Sequence, residues 1–123
     1  MSTATILFAH GSRDPAWRAP IEAVAARMRQ LAPARPVACA YLELTAPDLP
    51  TAVRTLHAEG AEHIAIWPMF IGAGRHLSED LPRLLTGLRT AHPHLRLSLH
   101  PAIAEHPAVL QAMAQAALGL GSD

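Results

Sequence analysis

The sequence contains no lysine and a single cysteine, Cys39, and only 16% of its 123 residues are charged. With one thiol no intrachain disulfide can form. Cys39 lies in the apolar stretch Val37-Ala38-Cys39-Ala40-Tyr41-Leu42, where a small buried thiol is expected. All ten basic residues are arginines, balanced by ten carboxylates to a formal charge of zero, so there is no general electrostatic footprint for nucleic acid or an anionic membrane. An acidic ligand would have to be met locally. No stretch approaches the ~18 apolar residues of a membrane span. The apolar run at 4–9 is short and follows no basic leader, so a soluble cytoplasmic protein is expected. Linkers, repeats and low-complexity tracts are absent beyond an abundance of alanine.

Half of the residues are hydrophobic, which argues against disorder, and the length suits one core, hence a single domain over residues 1–123. The apolar residues alternate between two patterns. Short, partly β-branched runs at 3–9, 37–42, 64–70 and 95–99 read as strands, the first of them buried on both faces. Between and after them, residues recur at helical spacing: Ile21, Val24, Ala25, Met28 and Leu31; Leu49, Val53 and Leu56; Leu81, Leu84, Leu85 and Leu88; and a last stretch over 107–118. Pro20 fits a first helical turn, Gly60 an end, and Pro33 and Pro93 the returns to the next strand. Ser78 or Asp80 is expected to cap the third helix, with Pro82 in its first turn. This strict alternation predicts an α/β fold: one four-stranded parallel sheet with helices on both faces and right-handed crossovers.

In such a sheet every segment that follows a strand lies on one edge, and ligands bind there. These segments are 10–15, 43–48, 71–80 and 100–106. With the strand order 2-1-3-4, the helices after strands 1 and 3 leave on opposite faces and open a crevice. His10, in Phe8-Ala9-His10-Gly11-Ser12-Arg13-Asp14-Pro15, and His76, in Phe70-Ile71-Gly72-Ala73-Gly74-Arg75-His76-Leu77-Ser78-Glu79-Asp80, flank it. Neutral imidazoles are metal ligands, and the ordinary histidine pKa of about 6.5 also lets one accept a proton near neutrality. Two nitrogens leave coordination positions open, which suits an ion held briefly and then released.

Glu43 opens the next segment and is a candidate third ligand or proton acceptor, a solvated loop glutamate being the alternative. Arg13 and Arg75 are candidates to meet substrate carboxylates through their planar forks, with ion pairs to Asp14, Glu79 or Asp80 as the competing reading. Gly72 and Gly74 would allow a positive φ or a close approach to a flat ligand or phosphate. Leu77 takes the last position of a G-x-G-x-x-G pattern, which disfavours a dinucleotide site. Of the other histidines, His57, His63, His92 and His94 are expected on the surface away from the crevice. His92-Pro93-His94 could take a stray ion at the wrong end of the sheet. His100 and His106 lie on the ligand edge, in loop-structural roles or, as the alternative, as peripheral substrate contacts.

The segments Leu7 to Pro15, Tyr41-Leu42-Glu43-Leu44 and Pro68 to Pro82 resemble the class II tetrapyrrole chelatases, especially the short CbiX form, and the likeness runs the length of the chain. It implies a lyase that forms metal–nitrogen bonds, inserting Co²⁺, or alternatively Fe²⁺ or Ni²⁺, into sirohydrochlorin on the route to cobalamin or sirohaem. It implies no organic cofactor, with the metal as substrate, and a homodimer, since the paired lobe of the larger chelatases must come from another chain. Carried over by position, His10 and His76 become the metal-binding and catalytic pair, and Glu43 matches an acidic catalytic position. A non-catalytic metal or tetrapyrrole carrier using the same crevice is the alternative. A hydrolase is weaker, because the sequence has neither a G-x-S-x-G turn nor an Arg-His-Gly order.

Overall fold

A computed structural model describes residues 2–72 and 74–121, with only the backbone of His76. Strands β1 (Thr3–Ala9), β2 (Val37–Tyr41), β3 (His63–Pro68) and β4 (Arg96–Leu99) form one parallel sheet in the order β2-β1-β3-β4. The central strand β1 pairs Leu7 with Cys39 on one side and with Trp67 on the other. Helices α1 (Ala19–Leu31), α2 (Leu49–Ala58), α3 (Arg75–Ala91) and α4 (Pro107–Ala117) follow their strands, and 3₁₀ turns at Pro15–Arg18 and Ile103–Glu105 precede α1 and α4.

The core lies on one face of this sheet. Ala4, Ile6 and Phe8 of β1, with Ile64 and Ile66 of β3, are wholly buried beneath α2, through Leu49 and Val53, and α3, through Leu85. Each large aliphatic or aromatic side chain removed from water here contributes on the order of 1.5–3 kcal/mol, so this face holds the strand edge rigid.

The other face is more thinly covered: β1 is buried on both faces from Ile6 to Ala9, as expected, but Thr3 and Thr5 at its start are only half-buried. Only Ala25 of α1 and no residue of α4 is buried. Thr3, Thr5, Ala65 and Trp67 line an open trough with Met28 and Leu31 of α1. The reason is local. The buried position of α1 is an alanine, too small to reach across the strands, and α4 rests mainly on the 3₁₀ turn before it.

Helix α3 also begins earlier than Ser78 or Asp80. Gly74, with φ −65° and ψ 164°, is its N-cap, and Pro82 lies inside the helix. The apolar stripe explains the early start: Leu77 packs against the core one turn before buried Leu81, so helix continued through Pro82 buries one more leucine. Strand β3 stops at Pro68, two residues short of Phe70, because proline has no N–H to give to the β4 side, although Met69 N still donates to Phe8 O of β1.

Candidate functional site

The strand ends are tied together by their own ladder. Beyond β1 and β2, Leu42 N donates to Ala9 O at 2.9 Å and Glu43 N to His10 O at 3.1 Å; on the opposite side Met69 N donates to Phe8 O at 2.7 Å. Gly11 makes this extension possible. Its φ is +95°, and a Cβ there would overlap the backbone carbonyl oxygen of Glu43, so only glycine permits the close approach. A second clasp joins the same loops: Thr45 Oγ1 donates to Ser12 O at 2.7 Å and accepts from Ser12 N at 3.1 Å.

The result is that His10 Nε2 stands 3.4 Å from Glu43 Oε1. Both side chains are more than half exposed, at 64% and 55%, so a solute can reach the pair directly. Phe70 meets the His10 ring edge-on at 6.5 Å and is itself backed edge-on by Phe8 at 6.3 Å, which braces the imidazole against the core. At this spacing one cation can sit against both atoms, and so can a proton passing between them. Glu43 is therefore beside the crevice and not an isolated loop carboxylate.

The crevice between the β1 and β3 ends has a volume of about 580 Å³. Its walls include His10, Gly11, Gly72, Phe70 and two residues that the motif reading missed, Trp17 and Arg18. Asp14 Oδ1 accepts from Ala16 N at 3.0 Å and so starts the 3₁₀ turn that lifts Trp17 onto the rim, 70% exposed. Ile71, 84% exposed, is a second large apolar residue in the lining that is open to solvent, with Ile21 and Met69 half-buried in the same lining. An isolated tryptophan beside Pro15 carries no spacing signal, which is why it escaped notice. Deeper in, the Tyr41 hydroxyl is buried with only the weak Cys39 thiol beside it, and burial pushes both groups up from their ordinary values.

Other assignments divide. His76 is in the first turn of α3, on the segment that leaves the β3 end, but its side chain lies outside the described residues, as does Ala73. Arg75 opens α3 and is exposed, and Arg13 lies on the Gly11–Asp14 loop outside the crevice wall. The competing ion pairs are not made: among the described residues neither arginine pairs with Asp14, Glu79 or Asp80, because the ion pairs are His10–Glu43 and Arg18–Glu22, the latter at 3.9 Å. Neither Gly72 nor Gly74 has a positive φ, and a Cβ on either would meet nothing within 4 Å. The glycine that the backbone requires is Gly11. His100 stacks on Trp67 at 4.0 Å, and His106 Nδ1 accepts from Ala108 N at 3.1 Å to cap α4, so both serve the loop. His63 lies within β3 and bonds Ser98 Oγ at 2.7 Å.

The family model of CbiX matches residues 4–118. The chain belongs to the CbiX family. A CbiX protein from Marinobacter aquaeolei VT8 is 31% identical with a TM-score of 0.83, and the match covers 95% of both chains. The sirohydrochlorin cobaltochelatase of Methanothermobacter thermautotrophicus is 36% identical over 80 residues, 65% of this chain and 55% of that protein. The chain thus spans about half the length of the curated relatives it matches. The sirohydrochlorin chelatase SirB from Bacillus subtilis subspecies spizizenii, solved in complex with cobalt, shares the fold at a TM-score of 0.80 and 23% identity, over all of this chain and 56% of that one. The parallel α/β sheet that the alternating pattern predicted is thus present, in the order 2-1-3-4 expected for the fold class.

Proposed function

We propose that this chain inserts a divalent metal ion, Co²⁺ in first place and Fe²⁺ or Ni²⁺ as alternatives, into sirohydrochlorin. The observation that carries the reading is the exposed His10–Glu43 pair at 3.4 Å, mounted on an apolar-walled crevice. The names of the relatives support the substrate and the reaction class. Metallation removes two pyrrolic protons and strips water from the ion, so the site needs replaceable ligands and a base. His10 Nε2, as a neutral imidazole, offers a lone pair to the ion; Glu43 offers a harder oxygen and accepts a proton leaving the macrocycle. His76, on the facing segment, completes the ligand set. Trp17 and Ile71 supply a surface for the flat ring, and Arg18, with Arg13 and Arg75 on the adjoining loops, meets its carboxylates.

We further propose that the working form is a cytoplasmic homodimer. Helix α4 leaves Leu110, Met113, Leu118 and Leu120 exposed around its length and end. The chain also equals about half of SirB, so a second copy would stand where that protein's remainder stands. No helix among the described residues is long and apolar enough to cross a membrane.

The test follows visible spectra of sirohydrochlorin with Co²⁺. The wild-type protein accelerates the change with repeated turnover, and His10→Ala, His76→Ala and Glu43→Gln each slow it. Stoichiometric binding without turnover would move the assignment to a carrier, and full activity in all three variants would remove the residue assignment.

A further inference from the structure

At the sheet edge opposite the crevice, two helix C-termini come together. His57 is in the last turn of α2, and His92 is the C-cap of α3. Their Nδ1 atoms are 3.2 Å apart, with the rings at 83° to each other. With metal–nitrogen distances of about 2.0–2.1 Å, two imidazoles on one ion stand roughly 2.9–3.4 Å apart for bond angles between about 90° and 109°. The observed separation lies inside that interval. We propose that His57 and His92 form a two-imidazole site for a divalent first-row transition metal ion, separate from the crevice and independent of the function proposed for it.

Three further features favour a cation here. Both helices point the negative ends of their dipoles at this spot, each equivalent to about half a negative charge even where cap N–H groups bond the last carbonyls. The basic group in the last turn of α3, Arg89, is drawn off to the carbonyl of Leu97 at 3.0 Å. The backbone beneath is fixed: Gly60 N donates to His57 O and Ala61 N to Leu56 O, both at 3.0 Å, a closed glycine cap that holds the α2 end in place. Without an ion, one Nδ1 carries a proton and donates to the other. When an ion binds, the donating ring shifts its proton to Nε2, which leaves both Nδ1 lone pairs free for the metal. Among the described residues no third histidine, cysteine or carboxylate joins them. Water completes the sphere, and the ion exchanges readily. Imidazole donors select Ni²⁺, Co²⁺, Cu²⁺ or Zn²⁺ over Mg²⁺ or Ca²⁺.

The experiment titrates Ni²⁺ alone into the His10→Ala protein, followed by calorimetry and by paramagnetic broadening of histidine ring signals. One equivalent is expected to bind, broadening His57 and His92 together, and either His57→Ala or His92→Ala removes it while Mg²⁺ has no effect. Should His92→Ala fold poorly, the exposed His57→Ala carries the comparison. Loss of all Ni²⁺ binding with His10→Ala, or broadening of one ring that survives removal of the other, overturns the proposal.

Discussion

Replacing Gly11 with alanine probes how the His10–Glu43 pair is held. An L-residue in the left-handed region costs about 1–2 kcal/mol, and φ of +95° lies beyond the compact left-handed well, so the upper end applies. The new methyl group cannot share space with the Glu43 carbonyl, and the β2 end must retreat. That movement puts at risk the Glu43 N to His10 O bond and the Ser12–Thr45 clasp. Losing one or two such bonds at about 1 kcal/mol each brings the total to about 3–4 kcal/mol, against a typical stability of roughly 5–15 kcal/mol. Urea denaturation of Gly11→Ala beside Gly72→Ala, where a methyl group meets nothing, gives the measurement. Gly11→Ala is expected to lower the midpoint sharply and to slow Co²⁺ insertion in whatever fraction remains folded, and Gly72→Ala to leave the midpoint nearly unchanged. Equal midpoints and equal rates in the two variants would refute the idea that the close backbone approach sets the pair.

Two other outcomes follow from the same structure. Trp17→Ala removes an exposed ring from the crevice rim, so the thermal midpoint stays and the KM for sirohydrochlorin rises by roughly three- to tenfold, the equivalent of about 0.5–1.5 kcal/mol of lost ring contact; an unchanged KM in steady-state kinetics counts against Trp17 as a substrate surface. His63 is held below the ordinary histidine range first by burial and then by the charges of Arg96 and His100. The unfolded chain therefore takes up the proton first, so this contribution to stability is whole above about pH 6.5 and is lost as the pH falls through the folded-state value. Urea midpoints between pH 7.5 and 5 should fall less in His63→Gln than in the wild type, and parallel curves would contradict the shift.

Much of this arrangement was legible in the sequence because its signals are local. Runs such as Ile6 to Phe8 and Ile64 to Ile66 declare strands by composition, and the helical stripes between them imply that the strands run parallel, whereas the order 2-1-3-4 comes from the fold class and not from any local signal. That His10 and Glu43 share one sheet edge is legible from their places just past strands. What escaped depends on contacts distant in sequence. Gly11 looked ordinary beside Gly72 and Gly74, since its need arises from the Glu43 carbonyl more than thirty residues on. Pro82 reads as a first-turn residue because proline is cheapest there, whereas packing Leu77 against the core outweighs that local preference. The bare trough beside Trp67 follows from α1 offering Ala25 at the sheet, a shortfall in reach that hydrophobic periodicity does not register.

His10 and Glu43 project from the final rungs of a main-chain ladder, made possible by Gly11 and clasped by Thr45, so the frame does not depend on the side chains at positions 10 and 43 themselves. If the pair holds the ion as proposed, exchanging the oxygen donor for a softer atom, or the imidazole for a second carboxylate, would change the ion preferred while leaving the mounting intact. On such a frame, selectivity for one metal over another would drift by single substitutions without a toll on folding.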